Sequence, residues 1–187
     1  MRVFLLSLLA LALSNLNVFS QNHTTKKMNS TQKALVVYFS ASGVTRAAAE
    51  RLAKAADADL HEIVPETPYT DADLNWNDAN SRSSKEMNPP TSRPAIKGKL
   101  ANVDQYETIY IGFPIWWYTA PTIINTFIEQ TDLKGKRLVV FATSGGSSSA
   151  KATEDLKKAY PALTFQDGGV LNSRSQADAE KLVKSVK

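Results

Sequence analysis

The 187-residue sequence contains no cysteine. This absence excludes disulfides, thiolate metal sites, iron–sulfur ligation and lipid anchoring through a cysteine. The sequence has only two histidines, His23 in a polar stretch near the N-terminus and His61 in a predicted strand. A serine triad would therefore lack a credible base, and we expect His61 to be structural. We also expect no metal site.

The sequence has no concentrated patch of positive charge. Its 22 lysines and arginines stand against 18 acidic residues, for a net charge of +4, and they are dispersed along the chain. A nucleic-acid-binding surface would need a basic stripe with interleaved aromatic residues, so we expect no nucleic-acid partner. A hydrophobic fraction of 43% and a charged fraction of 21% are ordinary for a globular protein. The length suits one domain with a substantial core.

The N-terminal region contains an apolar run, residues 3–13, which is too short to cross a bilayer comfortably. It follows Arg2 and precedes polar and small residues, with Val18 and Ser20 before a predicted cut. We therefore predict a signal peptide over residues 1–20 and a polar tether over residues 21–33. The protein is expected to be exported, periplasmic or secreted, and not membrane-spanning after cleavage. An uncleaved membrane anchor is the alternative.

From Ala34 onward, short apolar runs alternate with helical patterns, which predicts an α/β domain with a parallel sheet over residues 34–187. The predicted strands are residues 34–39, 60–64, 108–113, 137–142 and a broken fifth strand over 163–171. The predicted helices are residues 45–56, a helix that begins at Pro121, and residues 150–160 and 177–186. The polar, proline-containing segment 65–99 resists this interpretation, although a helix over 71–87 is possible there.

The loop that leaves the first predicted strand reads SASGVT, residues 40–45. Ser40, Ser42 and Thr45 supply hydroxyl groups, Gly43 permits a tight turn, and the following helix presents free N–H groups at its positive end. These features suit a phosphate dianion without a lysine. An ordinary helix cap is the alternative, because serine and threonine favour that position as well.

Other loop motifs do not fit the sequence. The triphosphate-binding G-x-x-x-x-G-K-[ST] and the dinucleotide-binding G-x-G-x-x-G are both absent. The sequence GGSSS (145–149) is not a nucleophile elbow, because G-x-S-x-G needs glycine where Ser149 stands. A receiver domain would need an aspartate near the end of the third strand, where Phe113 and Pro114 stand. A simple phosphate cradle is therefore favoured.

Two further unusual loops follow the third and fourth predicted strands. The first, PIWWYTAP (114–121), has three consecutive aromatic residues, Trp116, Trp117 and Tyr118. They cannot all enter the core, so at least one should offer a flat face for stacking on a planar ring. If the loop is extended, side chains alternate and Trp117 should point away from its two neighbours. The second loop, TSGGSSS (143–149), has two glycines that expose backbone groups for hydrogen bonds to a heterocycle.

Together these three loops resemble the flavin-binding loops of the flavodoxin family, of the type with a P-x-W-W element. SASGVT matches the phosphate motif [ST]-x-[ST]-G-x-T at every specified position. The loops GFPIWWYTAP and FATSGGSSS, and the segment PYTDADLNWNDANSRSSKE, are similar to the corresponding parts of that family. The resemblance covers residues 34–187 and implies a three-layer α/β/α fold with a five-stranded parallel sheet in the order 2-1-3-4-5.

The resemblance also implies non-covalently bound FMN. In that case Ser40, Ala41, Ser42, Gly43, Val44 and Thr45 hold the phosphate. The isoalloxazine is flanked by Pro114, Ile115, Trp116, Trp117 and Tyr118 and by Thr143, Ser144, Gly145, Gly146 and Ser147. Many flavodoxins present an acidic face to basic partners, whereas this chain is net basic.

Three function classes remain open at this point. The favoured one is an electron-transfer flavoprotein, whose chemistry belongs to FMN and whose redox partner is an unknown protein or small acceptor. The second is an FMN-dependent NAD(P)H:quinone-type oxidoreductase, although no second nucleotide site is visible and export argues against a supply of NAD(P)H. The third is a flavin-free interaction domain on the same fold.

Overall fold

The structure is a computed structural model that describes residues 33–172 and 175–186. The predicted signal peptide and all of the predicted tether except Lys33 lie outside the described residues. Among the residues described, no helix combines the length and the apolar character needed to cross a membrane.

The central sheet contains five parallel strands in the order β2-β1-β3-β4-β5. This order confirms the fold class predicted from the sequence. The strands are β1 (Lys33–Tyr38), β2 (Ala58–Glu62), β3 (Tyr106–Pro114), β4 (Arg137–Thr143) and β5 (Thr164–Val170). The helices are α1 (Val44–Ala56), α2 (Arg82–Met87), α3 (Thr122–Gln130), α4 (Ala150–Ala159) and α5 (Gln176–Ser185).

Two hydrophobic clusters cover the two faces of the sheet. One contains Leu35 and Val37 of β1 together with apolar residues of α3 and α4. The other contains Val36 and Tyr38 together with residues of α1 and α5. Because successive side chains of a strand point to opposite faces, a central strand that is covered on both sides reads as a continuous apolar run. This is why β1, β3 and β4 carry no polar alternation.

One close approach inside the sheet depends on glycine. A Cβ atom at Gly112 of β3 would lie 2.1 Å from the ring of Phe141 on β4. The Phe141 ring is fully buried and occupies the space that any larger side chain at position 112 would need. Gly112 therefore lets Phe141 fill the α1 and α5 side of the sheet.

The predicted helix over residues 71–87 is wrong in its first part, because the structure has only the short helix α2 there. Side chains bind the backbone locally before α2 begins. Thr70 N donates to Asp73 Oδ2 at 2.9 Å, and Asn80 N donates to Asp78 Oδ1 at 2.8 Å. Such bonds give the backbone an alternative to a helix. The helix begins only after Ser81, whose hydroxyl accepts a hydrogen bond from Ser84 N at 3.2 Å.

Candidate functional site

A cleft of about 700 Å³ lies at the carboxyl edge of the sheet. The loops that follow β1, β3 and β4 form most of it, and part of segment 65–99 closes one side. This is the edge at which open parallel sheets bind ligands. The lining residues are Ala41, Ser42, Leu74, Trp76, Ser83, Pro114, Ile115, Trp116, Trp117, Tyr118, Ser144, Gly145, Gly146 and Ser147.

The cleft gathers most, but not all, of the residues predicted from the sequence. Every residue of 114–118 and 144–147 lines the cleft, and the first loop contributes Ala41 and Ser42. Five predicted residues lie beside or behind the wall instead. They are Ser40, Gly43, Val44, Thr45 and Thr143.

The first loop leaves the start of α1 without a side-chain cap. Gly43 stands at the N-cap position with φ 84°, a left-handed conformation that favours glycine. The Ser40 hydroxyl accepts a hydrogen bond from Gly43 N at 3.1 Å, which shapes the turn before the helix. Among the described residues, no side-chain cap is found for the first N–H groups of α1. These groups and the positive end of the helix dipole are therefore available to an anion.

Two threonines connect the first loop to the third. Thr45 Oγ1 and Thr143 Oγ1 are 2.8 Å apart, and the residues are 2% and 4% exposed. Either hydroxyl can donate to the other. A hydroxyl has one proton and two lone pairs, so this bond leaves each threonine with some capacity for another partner. Thr143 therefore supports Thr45 from behind and does not form the cleft wall.

Arg46 also lies beside the first loop, but its guanidinium is directed to another partner. Its Nη2 donates to Glu62 Oε1 at 2.6 Å, at the end of β2. The same guanidinium interacts with the hydroxyl of Tyr38, whose pKa is raised mainly by burial. The groups that remain available to an anion near the start of α1 are therefore backbone N–H groups and hydroxyls.

The aromatic loop forms a tight turn. Trp116 N donates to Thr119 O at 3.1 Å, and Thr119 N donates to Trp116 O at 3.0 Å. Between them, Trp117 and Tyr118 have φ angles of 46° and 65°. Two consecutive positive φ angles are the signature of a type I′ turn. The loop is therefore not extended, so the alternation of side chains that an extended loop would give does not apply.

The three aromatic side chains consequently have different environments. Trp116 is half-buried, whereas Trp117 is 43% and Tyr118 69% exposed. Alternating side chains would have required Trp117 to point into the core, and it does not. All three line the cleft. The turn therefore places one anchored and two solvent-facing rings at the site, in a backbone conformation that non-glycine residues rarely adopt.

Trp116 is held by two other aromatic rings. Its ring is edge-on to Phe39 at 5.6 Å between centroids and edge-on to Tyr69 at 5.5 Å. Edge-to-face contacts of this kind stabilise an aromatic pair beyond the area that is buried. Phe39 comes from the end of β1 and Tyr69 from segment 65–99. The wall of the cleft is thus fixed from both sides.

A charged network lies beneath Tyr69. The hydroxyl of Tyr69 donates to the Glu86 carboxylate, and Arg82 Nε donates to Glu86 Oε1 at 2.6 Å. The Arg82 guanidinium also lies 4.0 Å from the centre of the Tyr69 ring. Burial first, and then the neighbouring Glu86, raise the pKa of Tyr69 far above its usual range. Tyr69 therefore stays a neutral hydrogen-bond donor that ties α2 to the aromatic wall.

The third loop is ordered by two side chains. Ser144 Oγ accepts hydrogen bonds from Gly146 N at 3.2 Å and Ser147 N at 2.7 Å. Asn172 accepts from Ser144 N at 2.9 Å and donates to Ser144 O at 2.5 Å. The glycine-containing loop is therefore held in one shape. Sequence reasoning missed Asn172, because nothing but its position after the fifth strand marks it as a residue of the site.

Segment 65–99 supplies three lining residues that the sequence did not identify, Leu74, Trp76 and Ser83. The signal for Trp76 was present, since a tryptophan in a polar stretch is unusual, and it is 71% exposed. Leu74 and Ser83 carried no such signal. Their place at the cleft results from the turns over 70–80 and from the hydrogen bond of Ser83 N to Asp73 O at 2.9 Å.

None of the described residues that line the cleft is charged. Hydroxyls and exposed glycine backbone provide its polarity, and indole and phenol rings provide its apolar surface. Within the part of the chain that the structure describes, no group of three or more His, Asp or Glu residues could hold a metal ion. The arrangement suits an elongated ligand with an anionic end and a planar aromatic end.

His61, predicted to be structural, lies on β2 away from the cleft lining. Its ring is tilted against Phe127 of α3, with 6.4 Å between the centroids. Burial lowers the pKa of His61.

The family model for flavodoxin matches residues 33–186 of this chain. No curated protein sequence matches at a significant level.

Solved structures are similar to this chain over most of their length. A proposed flavoprotein from Bacteroides eggerthii DSM 20697 is 51% identical, with a TM-score of 0.80, and the match covers 82% of this chain and 97% of that one. A proposed flavoprotein from Bacteroides uniformis ATCC 8492 is 49% identical, with a TM-score of 0.79 and coverage of 81% and 97%. A flavoprotein from Lactobacillus acidophilus NCFM, solved in complex with FMN, is 25% identical, with a TM-score of 0.61 and coverage of 74% and 91%.

Proposed function

The chain belongs to the flavodoxin family, and we propose that it binds FMN non-covalently in the cleft described above and serves as an electron carrier. When bound, FMN supplies the redox chemistry, and the protein supplies position and electrostatics. The contribution of this chain is therefore to hold the phosphate, to orient the ring system and to limit the access of water.

The phosphate end of the proposal rests on the first loop. The uncapped start of α1 and the exposed Ser42 hydroxyl provide donors for a phosphate dianion, and no acidic side chain lines the cleft to repel it. A phosphate at a helix N-terminus is favoured both by the free N–H groups and by the helix dipole. A second phosphate and an adenosine would need a further pocket continuous with this end.

The ring end of the proposal rests on the aromatic turn and the third loop. Trp116, Trp117 and Tyr118 present apolar faces suited to an isoalloxazine. Across the cleft, residues 144–147 present backbone groups that can bind its polar edge. The volume of about 700 Å³ lies in the range of sites for ligands of this size. The strained turn is consistent with a site that is formed before the ligand arrives.

One observation carries the proposal. The loop that leads into the uncapped start of α1 and the aromatic turn both contribute residues to a single cleft at the carboxyl edge of the sheet. An ordinary serine or threonine cap, the alternative for SASGVT, would place that side chain at the N-cap of α1, whereas Gly43 stands there. Because the cleft offers hydrogen-bond donors for a phosphate and apolar faces for a planar ring, these features favour FMN binding over a flavin-free interaction domain.

The direct test is to identify the cofactor of the purified full-length protein. The absorption spectrum should show bound flavin, and the cofactor released by heating should co-migrate with FMN. Apoprotein titrated with FMN, riboflavin and FAD should prefer FMN. Equal affinity for riboflavin would contradict the phosphate cradle, and recovery of FAD would contradict the single-phosphate site.

A second measurement separates the carrier from a reductase. The FMN-loaded protein should not oxidise NADPH at a steady rate, with or without a quinone. Steady oxidation would support the NAD(P)H:quinone-type oxidoreductase and overturn the carrier.

We also propose export by a cleavable signal peptide, for which mass spectrometry should find a mature chain that begins near Gln21. An intact Met1 on a cytoplasmic protein would contradict export.

A further inference from the structure

A second groove adjoins the cleft on the side of segment 65–99. It has a volume of about 510 Å³ and lies between the turn that carries Trp76 and helix α2. Trp76 and Trp117 line both the groove and the cleft. The two indoles therefore stand at the boundary between the two spaces. We call this space the Trp76 groove.

The two indole side chains leave ring faces uncovered. Trp76 is 71% and Trp117 43% exposed. The ring contacts at the site join Phe39, Tyr69 and Trp116. In the part of the chain that the structure describes, neither of the two exposed indoles has such a contact. The backbone of Trp117 is also kept in a left-handed conformation that residues other than glycine rarely adopt. Strain of this kind persists where the surrounding structure enforces it, often at a binding site.

The charge of the groove is positive. Of the described residues, Lys85 is the one charged residue that lines it. Within the described residues, Lys85 is exposed and its ammonium group has no ion pair, whereas the nearby Arg82 is paired with Glu86 at 2.6 Å. The side chains of Asn77 and Asn88 add uncharged donors and acceptors at the rim. An anionic group is therefore the complementary partner for Lys85.

From these features we propose that the Trp76 groove is a binding site for a planar aromatic anion, such as a fused ring system that carries a carboxylate or sulfonate. The ring lies against the indoles of Trp76 and Trp117, and the anionic group lies at Lys85. The volume of the groove matches a small molecule and is too small for a folded partner. Aromatic stacking and a single charge-assisted contact are the interactions that the lining can provide.

The position of the groove gives the proposal its functional meaning. A molecule bound there touches the same two indoles that border the cofactor cleft, so it would lie where a diffusible electron donor or acceptor has to approach. The binding itself does not require a flavin. The groove can therefore be tested on the full chain whether or not FMN occupies the cleft.

The experiment uses anthraquinone-2-sulfonate as the probe, titrated by calorimetry into the full-length protein at low salt. We expect one site per chain. Trp76→Ala should weaken binding roughly tenfold through lost stacking. Lys85→Gln should weaken it about fivefold, and added salt should remove that difference. Both positions are exposed, so the variants should keep the fold, which circular dichroism verifies.

The matched control is Lys54→Gln. Lys54 is an exposed lysine in the last turn of α1, away from the groove, and its replacement changes the net charge equally. It should bind the sulfonate like the wild type. With the uncharged 2-(hydroxymethyl)anthraquinone as probe, Lys85→Gln should likewise have no effect.

Saturation with FMN distinguishes the groove from the cleft. If the proposal holds, the probe binds with similar affinity in the presence of excess FMN. Displacement of the probe by FMN would place it in the cofactor cleft and overturn the inference, while supporting the proposed function. Wild-type affinity in both Trp76→Ala and Lys85→Gln, or the absence of any binding, would also overturn it. Failure to bind FMN with intact probe binding would overturn only the proposed function.

Discussion

The hydroxyls of Thr45 and Thr143 lie 2.8 Å apart and join the start of α1 to the end of β4. The two residues are separated by 98 positions in the sequence and are both buried. This bond fixes the first loop relative to the third loop. The two ends of the candidate cofactor site are therefore connected inside the protein before any ligand binds.

We predict that Thr143→Val destabilises the protein by about 1–3 kcal/mol, because it leaves the Thr45 hydroxyl buried without its partner. The double variant Thr45→Val/Thr143→Val should recover part of that loss, since both partners are then apolar and similar in shape. Urea denaturation of the apoproteins measures the effect. Equal stability of the wild type and Thr143→Val would mean that the bond contributes nothing to the fold.

We predict that Ser42→Asp weakens FMN binding by about 2–4 kcal/mol, a loss of roughly 30- to 1000-fold, through repulsion of the phosphate and a lost hydrogen bond. Ser42 is exposed and lines the cleft, so an aspartate there causes no burial penalty. Ser42→Asn is the matched neutral control and should lose much less affinity. Fluorescence titration of the apoproteins with FMN measures both. Equal affinities for the two variants would indicate that the phosphate binds elsewhere.

The aromatic turn allows a variant that separates stability from binding. Tyr118 is 69% exposed at φ 65°, where glycine is preferred. Tyr118→Gly should therefore raise the free energy of unfolding of the apoprotein by about 1 kcal/mol. It removes the strain of a residue that carries a Cβ atom in the left-handed backbone conformation. It should also weaken FMN binding by about 1–2 kcal/mol, because a ring that lines the cleft is lost.

Tyr118→Ala is the control for this prediction. It removes the same ring but keeps a Cβ atom at positive φ, so it should lose the same affinity without the gain in stability. Thermal unfolding and FMN titration of both variants provide the comparison. If neither variant changes the affinity, Tyr118 does not contact the cofactor.

His61 gives a prediction for pH. Its pKa is lowered by burial, so the unfolded state takes up a proton more readily than the folded state does. Stability should therefore fall as the pH drops below about 6.5, the ordinary pKa of histidine. His61→Gln should flatten this fall between pH 7.5 and 5.5, above the range in which carboxylates titrate. Urea midpoints across that interval measure the effect, and an unchanged slope in the variant would assign it to other groups.

Much of the architecture could be predicted from the sequence. The uninterrupted apolar runs predicted β1, β3 and β4, and the alternation of strands with helices predicted a parallel sheet. Boundaries were less certain. The second strand was predicted over residues 60–64 but is Ala58–Glu62, because its position is determined by pairing with β1, in which Ala34 lies opposite Ala58. Local patterns carry no information about that register.

In the candidate site, too, some features could be predicted from the sequence and others could not. By itself, the sequence determined which three loops would meet, since the carboxyl ends of parallel strands lie at one edge of the sheet. It also determined the residue types available there, namely hydroxyls, glycines and aromatic rings.

Tertiary structure alone decided how these residues are used. Trp117 and Tyr118 face solvent because two hydrogen bonds between Trp116 and Thr119 close a type I′ turn, which no alternation rule anticipates. Thr45 binds Thr143, and Asn172 clamps Ser144, because strand pairing brings distant segments together. Trp76 reaches the cleft because side-chain hydrogen bonds fold residues 70–80 into turns instead of the helix that was predicted. The contacts of Thr45 with Thr143 and of Ser144 with Asn172 join residues 98 and 28 positions apart, so their energies depend on the assembled fold and not on local sequence.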